Sequence, residues 1–175
     1  PDFQLGRLDM LLNNVVEIAK TSRRKSVEVV ATTPGEVLME MDEVLIQRCV
    51  QNLVWNAIDA SPEGAQVRVE LEPLVTADHH REWFRIRVID SGEGIPKENL
   101  HRVMTPYFTT KNRGDENRGF GLGLAICRKI VTLHGGNLSL ASLVKKGTTI
   151  QVDLPNRQLK LAAPVAVSSE ASTPV

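Results

Sequence analysis

From Leu8 onward the apolar residues Leu8, Leu11, Leu12, Val15, Ile18 and Ala19 recur at helical spacing, which predicts a first helix. Arg23, Arg24 and Lys25 follow it, where positive charge complements a carbonyl end. The β-branched run 27–32 reads as a strand closed by Pro34-Gly35, and 41–60 reads as a long helix that stops at Ser61-Pro62. Segments 67–75 and 83–89 alternate as strands and are expected to pair antiparallel across the polar loop 76–82. Residues 91–118 hold most of the turn formers, with a short turn around 98–103, and 121–134 is helical again. Segments 137–144 and 148–154 close a hairpin across Lys145-Lys146-Gly147. The stretch 162–175, built of Ala, Pro, Val, Ser, Thr and one Glu, is expected to be disordered. No internal repeat is present. A long glycine-rich loop between two ordered elements suggests a substrate lid.

Composition narrows the classes. The 175 residues suit one domain with flanking sequence, and Lys plus Arg balances Asp plus Glu at 21 each, so no overall field favours nucleic acid or an anionic membrane. Cys49 and Cys127 fall inside apolar helical patterns and read as buried thiols of a reducing compartment. No apolar run approaches the roughly 20 residues of a membrane span. The start Pro1-Asp2-Phe3 has neither an initiator methionine nor a signal peptide, which points to a soluble fragment of a longer chain.

Three constellations carry candidate chemistry. On the helix 41–60, Arg48, Asn52, Asn56 and Asp59 form a polar stripe beside an apolar arc that includes Leu45, Cys49, Val50, Leu53 and Ala57. An amide carbonyl is a hard neutral oxygen suited to Mg²⁺ when phosphates and waters complete its shell, although taken alone the stripe is more simply a solvated helix face and needs independent support. On the strand 83–89, Phe84, Ile86 and Val88 alternate onto one face and Asp90 follows in the same parity, aiming a carboxylate at the core. The exocyclic amine of adenine is a matched donor for it; the bland alternative is a cap on the turn Asp90-Ser91-Gly92-Glu93-Gly94. Thr148 shares parity with Ile150, Val152 and Leu154 and turns a second polar group inward. Finally, Arg118-Gly119-Phe120-Gly121-Leu122-Gly123-Leu124 opens a helix with glycines that let backbone approach phosphate, unless it is only a flexible loop. It is neither the dinucleotide fingerprint nor a P-loop.

Taken in order, Asn52-Leu53-Val54-Trp55-Asn56-Ala57-Ile58-Asp59-Ala60, Asp90-Ser91-Gly92-Glu93-Gly94-Ile95-Pro96, Thr105-Pro106-Tyr107-Phe108-Thr109-Thr110-Lys111 and Gly119-Phe120-Gly121-Leu122-Gly123-Leu124 resemble the four boxes of the GHKL ATPases. The Phe-Thr-Thr-Lys portion resembles the sensor histidine kinases in particular. That resemblance implies an α/β sandwich, a mixed sheet of about five strands with three helices on one face, occupying 26–156. Residues 1–25 would be a lead-in from a phosphotransfer domain together with the first domain helix, and 157–175 a disordered tail.

The same resemblance implies ATP and Mg²⁺ as cofactors. Asn56 would ligate the metal with Asn52 assisting, Asp90 and Thr148 would read adenine, and Gly92 and Gly94 would let base and ribose approach. Lys111 would reach the terminal phosphates, and Gly119, Gly121 and Gly123 would cradle them. Asp59, Ile95, Thr110, Leu122 and Leu124 would complete the nucleotide contacts. Hydrolytic relatives carry a glutamate where this chain has Asn52, and an amide is no general base, so slow hydrolysis is expected. None of His79, His80, His101 and His134 lies in the phosphoacceptor pattern, so the acceptor is expected on a separate dimerisation and phosphotransfer domain of a homodimeric kinase. His134, ahead of Gly135-Gly136, is expected at a helix C-terminus. A response regulator receiver domain would act downstream, in the cytoplasm or on the cytoplasmic side of a membrane-bound sensor. The alternatives are a nucleotide-sensing module that transfers nothing and a serine kinase of the anti-sigma factor type.

Overall fold

The computed structural model describes residues 1–22, 25–75, 81–108 and 122–159. The chain runs β1 (Gln4–Arg7), α1 (Leu8–Thr21), β2 (Glu28–Thr32), β3 (Leu38–Met41), α2 (Glu43–Ala60), β4 (Gln66–Leu74), β5 (Arg81–Asp90), α3 (Lys97–Leu100), α4 (Gly123–Leu133), β6 (Asn137–Leu143) and β7 (Gly147–Leu159). A five-stranded sheet has the order β2-β4-β5-β7-β6, with β2 and β4 parallel and the other neighbours antiparallel. The expected mixed sheet and the antiparallel β4–β5 pair are therefore present.

Strand alternation decides where the core sits. Val67, Val69 and Leu71 of β4, Phe84, Ile86 and Val88 of β5, and Ile150, Val152 and Leu154 of β7 are buried on one face. They form one cluster with Leu12 and Val15 of α1, Leu53 and Val54 of α2, and Ile130 and Val131 of α4. The other face carries charge instead: Arg85 forks onto Asp153 at 2.7 and 2.9 Å, and Arg87 reaches Glu70 and Glu72. Cys49 and Cys127 are free and buried as expected, and the Cys127 thiol donates to the Cys49 carbonyl at 3.5 Å. That neighbouring thiol and burial push the Cys49 pKa up, so it stays protonated.

Several local expectations change. The long helix starts at Glu43 rather than 41, because Asp42 caps it, its carboxylate accepting from the Leu45 amide at 3.0 Å. Residues Leu38–Met41 instead form β3, which pairs antiparallel with β1 in a separate two-stranded ribbon that sequence reading did not anticipate. The last strand continues past 154 to Leu159 even though Pro155 lacks an amide hydrogen; the β6 pairing ends at Asp153, so the proline meets no ladder on that side. Lys25 does not serve the helix that precedes it. Its ammonium donates to the Asp59 carbonyl at 3.3 Å and to the Ser61 carbonyl, closing the C-terminal end of α2. Arg23, Arg24, His79, His80 and the segment 162–175 lie outside the described residues.

Asp9 ties the start of α1 to the loop before β3. Buried at 5 % exposure, it receives both arms of Arg7 at 2.9 and 2.7 Å and the Val37 amide at 2.9 Å. The hydrogen-bonded guanidinium holds its carboxyl well below the usual carboxylate range, against the opposing effect of burial. A depressed folded pKa stabilises the protein above the unfolded value, near pH 4, and that contribution disappears as pH falls through the folded value. Asp9→Ala is accordingly expected to lower the melting temperature at pH 7 by roughly 5 °C. Thermal unfolding at pH 7 and pH 3 checks it: the parent–variant gap must narrow in acid.

Candidate nucleotide-binding site

Asp90 ends β5 and Thr148 is the second residue of β7, and the two are register partners on the helix-covered face, at 9 % and 8 % exposure. Strand parity placed both side chains inward, and the structure brings them together. Asp90 Oδ1 accepts the Gly92 amide at 2.8 Å and the Thr148 amide at 3.1 Å, so neither donor occupies Oδ2. Burial pushes the Asp90 pKa up while these two amides pull it down, and burial prevails. A carboxylate so placed gains from a further donor brought by a ligand.

The turn after Asp90 is wedged between α2 and the β6–β7 hairpin. A Cβ at Gly92 would collide with the Ala60 carbonyl at the end of α2, and one at Gly94, whose φ is +71°, would collide with the Leu143 carbonyl of β6. Close approach of protein backbone therefore demands glycine at both positions, a different reason from the approach of base and ribose that the resemblance implied. Lys145 donates its amide to the Glu93 carbonyl at 2.7 Å, and Ile95 donates its amide to Ser142 Oγ at 2.8 Å.

Along α2, Asn52, Asn56 and Asp59 are half-buried while Leu53, Val54, Ala57 and Ile58 are buried, so the polar stripe borders the core. A Cβ added at Gly123, the first residue of α4, would stand 3.6 Å from Asn56 Nδ2. Leu122 is the N-cap of α4 and makes no side-chain cap hydrogen bond, and Leu124 packs partly buried against the core. Four residues further along α2, about 6 Å, Ala60 meets the Asp90 turn at Gly92. One helix thus borders both the buried carboxylate and the N-terminal end of α4, where free amides and the helix dipole suit phosphate. Thr110, Lys111, Gly119 and Gly121 lie outside the described residues.

Sequence reading missed Ser142. It follows Leu138 and Leu140 in the inward parity of β6, the rule that found Asp90 and Thr148, and it opposes Thr148 across the β6–β7 pair. His134 does close α4, as expected, but as a neutral ring: Nδ1 donates to the Ile130 carbonyl at 2.8 Å and Nε2 accepts the Asp42 amide at 3.1 Å. Burial, the largest influence, holds its pKa below the ordinary value.

A sandwich of this topology, with an inward aspartate at a strand end beside a polar helix stripe and a glycine-led helix, defines an ATP-binding fold of the GHKL class. The family model described as histidine kinase-, DNA gyrase B-, and HSP90-like ATPase matches residues 41–158, and the chain belongs to that family. Among curated relatives, the chain is 38% identical over 122 residues to histidine protein kinase DivJ of Caulobacter vibrioides, covering 70% of this chain and 19% of DivJ. It is 29% identical over 163 residues to sensor histidine kinase WalK of Bacillus subtilis, covering 90% of this chain and 26% of WalK. Among solved structures, the catalytic domain of histidine kinase ThkA superposes with a TM-score of 0.74 at 30% identity, over 89% of this chain and 97% of that one. The mycobacterial sensor histidine kinase MprB gives 0.73 at 28% identity, over 89% and 99%. The chain is thus an ATP-binding catalytic domain of the sensor histidine kinase type and spans a third or less of the length of these curated relatives. No helix among the described residues is long and apolar enough to cross a membrane.

Proposed function

We propose that this domain holds Mg·ATP and donates the γ-phosphoryl group to a histidine on a separate helical dimerisation and phosphotransfer domain of a homodimeric kinase, from which a response regulator receives it. The observation that carries the reading is the buried Asp90–Thr148 pair beside the helix that also presents Asn56 to the start of α4. Asp90 and Thr148 take the adenine amine. Asn56, with Asn52 beside it, offers neutral amide oxygens to Mg²⁺, and these fit a cation whose other ligands are phosphate and water. The metal, when bound, neutralises charge on the phosphates. Lys111 is assigned to the terminal phosphates, Gly119, Gly121 and Gly123 to the phosphate chain, and Asp59, Ile95, Thr110, Leu122 and Leu124 to the remaining nucleotide contacts, on the family resemblance of their motifs.

Transfer forms a bond between an imidazole nitrogen and the γ-phosphorus as the bond to the ADP oxygen breaks. The domain contributes position and charge to this step rather than a proton acceptor. Asn52 cannot deprotonate water, so the γ-phosphoryl group survives until a protein nucleophile arrives. Free thiols at Cys49 and Cys127 support a cytoplasmic setting.

Incubation with γ-labelled ATP, Mg²⁺ and a supplied phosphotransfer domain is expected to give acid-labile, base-stable label on histidine, dependent on Mg²⁺, with hydrolysis in the domain alone much slower than transfer. Nucleotide binding without label would instead favour a sensing module, and acid-stable label on serine an anti-sigma factor type of kinase.

A further inference from the structure

We propose that Ser142 is a positioning residue for base selection, acting through Thr148, which it fixes as a hydrogen-bond acceptor toward the pocket. The proposal rests on the adenine-binding role of Asp90 and Thr148. Asp90, Thr148 and Ser142 are successive register partners across β5, β7 and β6 and make one lateral row. Ser142 Oγ has three partners: the Ile95 amide at 2.8 Å, the Gly147 carbonyl at 3.0 Å and Thr148 Oγ1 at 2.8 Å.

The protons can be assigned by elimination. An amide only donates and a carbonyl only accepts, so the Ser142 proton goes to Gly147 and the Thr148 proton must go to Ser142. Ser142 is then saturated, with one donor and two acceptor positions used. Thr148 has spent its proton, and the part of its oxygen that faces the pocket can only accept. Asp90 Oδ2 is also an acceptor. The row therefore offers acceptors alone to a ligand edge, which matches both hydrogens of an exocyclic amine and repels a carbonyl at the same place. A carboxylate alone is less selective, since it can also accept from a ring N–H; the committed hydroxyl supplies the second condition. Ser142 also joins the Asp90 turn, through Ile95, to the β6–β7 hairpin, so the row and the turn hold one geometry.

The test is the ratio of dissociation constants for ADP and inosine diphosphate, which differ in presenting an amine or a carbonyl at the position read. In Ser142→Ala the Thr148 hydroxyl regains freedom to donate, and preference for ADP over inosine diphosphate is expected to fall roughly tenfold. Ser142→Thr keeps the hydroxyl and is expected to restore the preference to within about threefold of the parent. Melting temperatures taken on all three proteins separate a general loss of fold from a change in ratio. An unchanged ratio in Ser142→Ala, or a ratio lost equally in Ser142→Thr, overturns the proposal. A parent with no preference for ADP at all would overturn the adenine reading itself, an outcome distinguishable from failure of Ser142 alone.

Discussion

Asp90→Asn is expected to weaken ADP binding about a hundredfold while leaving the melting temperature within roughly 3 °C of the parent. The reason lies in how the two carboxylate oxygens divide their work. Oδ1 accepts the amides of Gly92 and Thr148, and an asparagine Oδ1 can keep both, so the turn and the β5–β7 junction survive. The second oxygen becomes an NH₂ group, two donors set against the donors of the adenine amine. Removing a buried charge, whose pKa burial already raises, also offsets any loss of folding stability. Calorimetric titration beside thermal unfolding checks both halves.

A pH profile tests the same group independently. Because the folded pKa of Asp90 lies above its ordinary value, acidification protonates it early, and the acceptor is lost as pH falls through that raised value. Parent affinity for ADP is expected to decline on acidification before ordinary carboxylates titrate, relative to an Asp90→Asn profile that lacks this decline. Titration of the ADP phosphates is common to both proteins and cancels in the comparison. An asparagine variant that binds ADP like the parent would remove Asp90 from the adenine assignment.

What was legible in the sequence follows from which interactions are local. Alternation along β5 and β7 depends on neighbours two residues apart, and it put Asp90 and Thr148 on the covered face correctly. The 3.6-residue period of α1 and α2 depends on neighbours three and four apart, and both helices lie where it predicted, with α2 shortened at its start by the Asp42 cap. The β1–β3 ribbon escaped notice because its pairs, Gln4 with Met41 and Arg7 with Leu38, are more than thirty residues apart and because Leu and Met favour helix. Lys25 was assigned to the helix beside it in sequence, whereas the carbonyls it reaches belong to Asp59 and Ser61. Ser142 was within reach of the parity rule. It lies on β6, an edge strand whose inward residues Leu138 and Leu140 are only half-buried, so the alternation there is faint. The glycines were legible as special positions but not as to cause, since whether a missing side chain makes room for a ligand or for another strand is a question of tertiary contact.

That distinction sets the second large effect. Gly147→Ala is expected to destroy nucleotide binding and to lower the melting temperature by on the order of 10 °C or more, whereas Gly35→Ala leaves binding unchanged and costs only a few degrees. Both glycines have strongly positive φ, +101° at Gly147 and +112° at Gly35, so an added Cβ strains the backbone at either. They differ in what the Cβ would meet. At Gly35 nothing lies within 4 Å, while at Gly147 the methyl would overlap the carbonyl of Asp90 and press on Ser91 Cα at 2.8 Å. Backbone cannot rotate aside as a flexible side chain can, so β5 and β7 must separate at the very register where Asp90 faces Thr148. The same movement strips the Thr148 amide from Asp90 and, through the Gly147 carbonyl, disturbs Ser142. Comparing the two variants subtracts the conformational strain and leaves the close approach. If Gly147→Ala and Gly35→Ala lose the same stability and both bind ADP, then tight apposition of β5 and β7 is not what shapes this pocket.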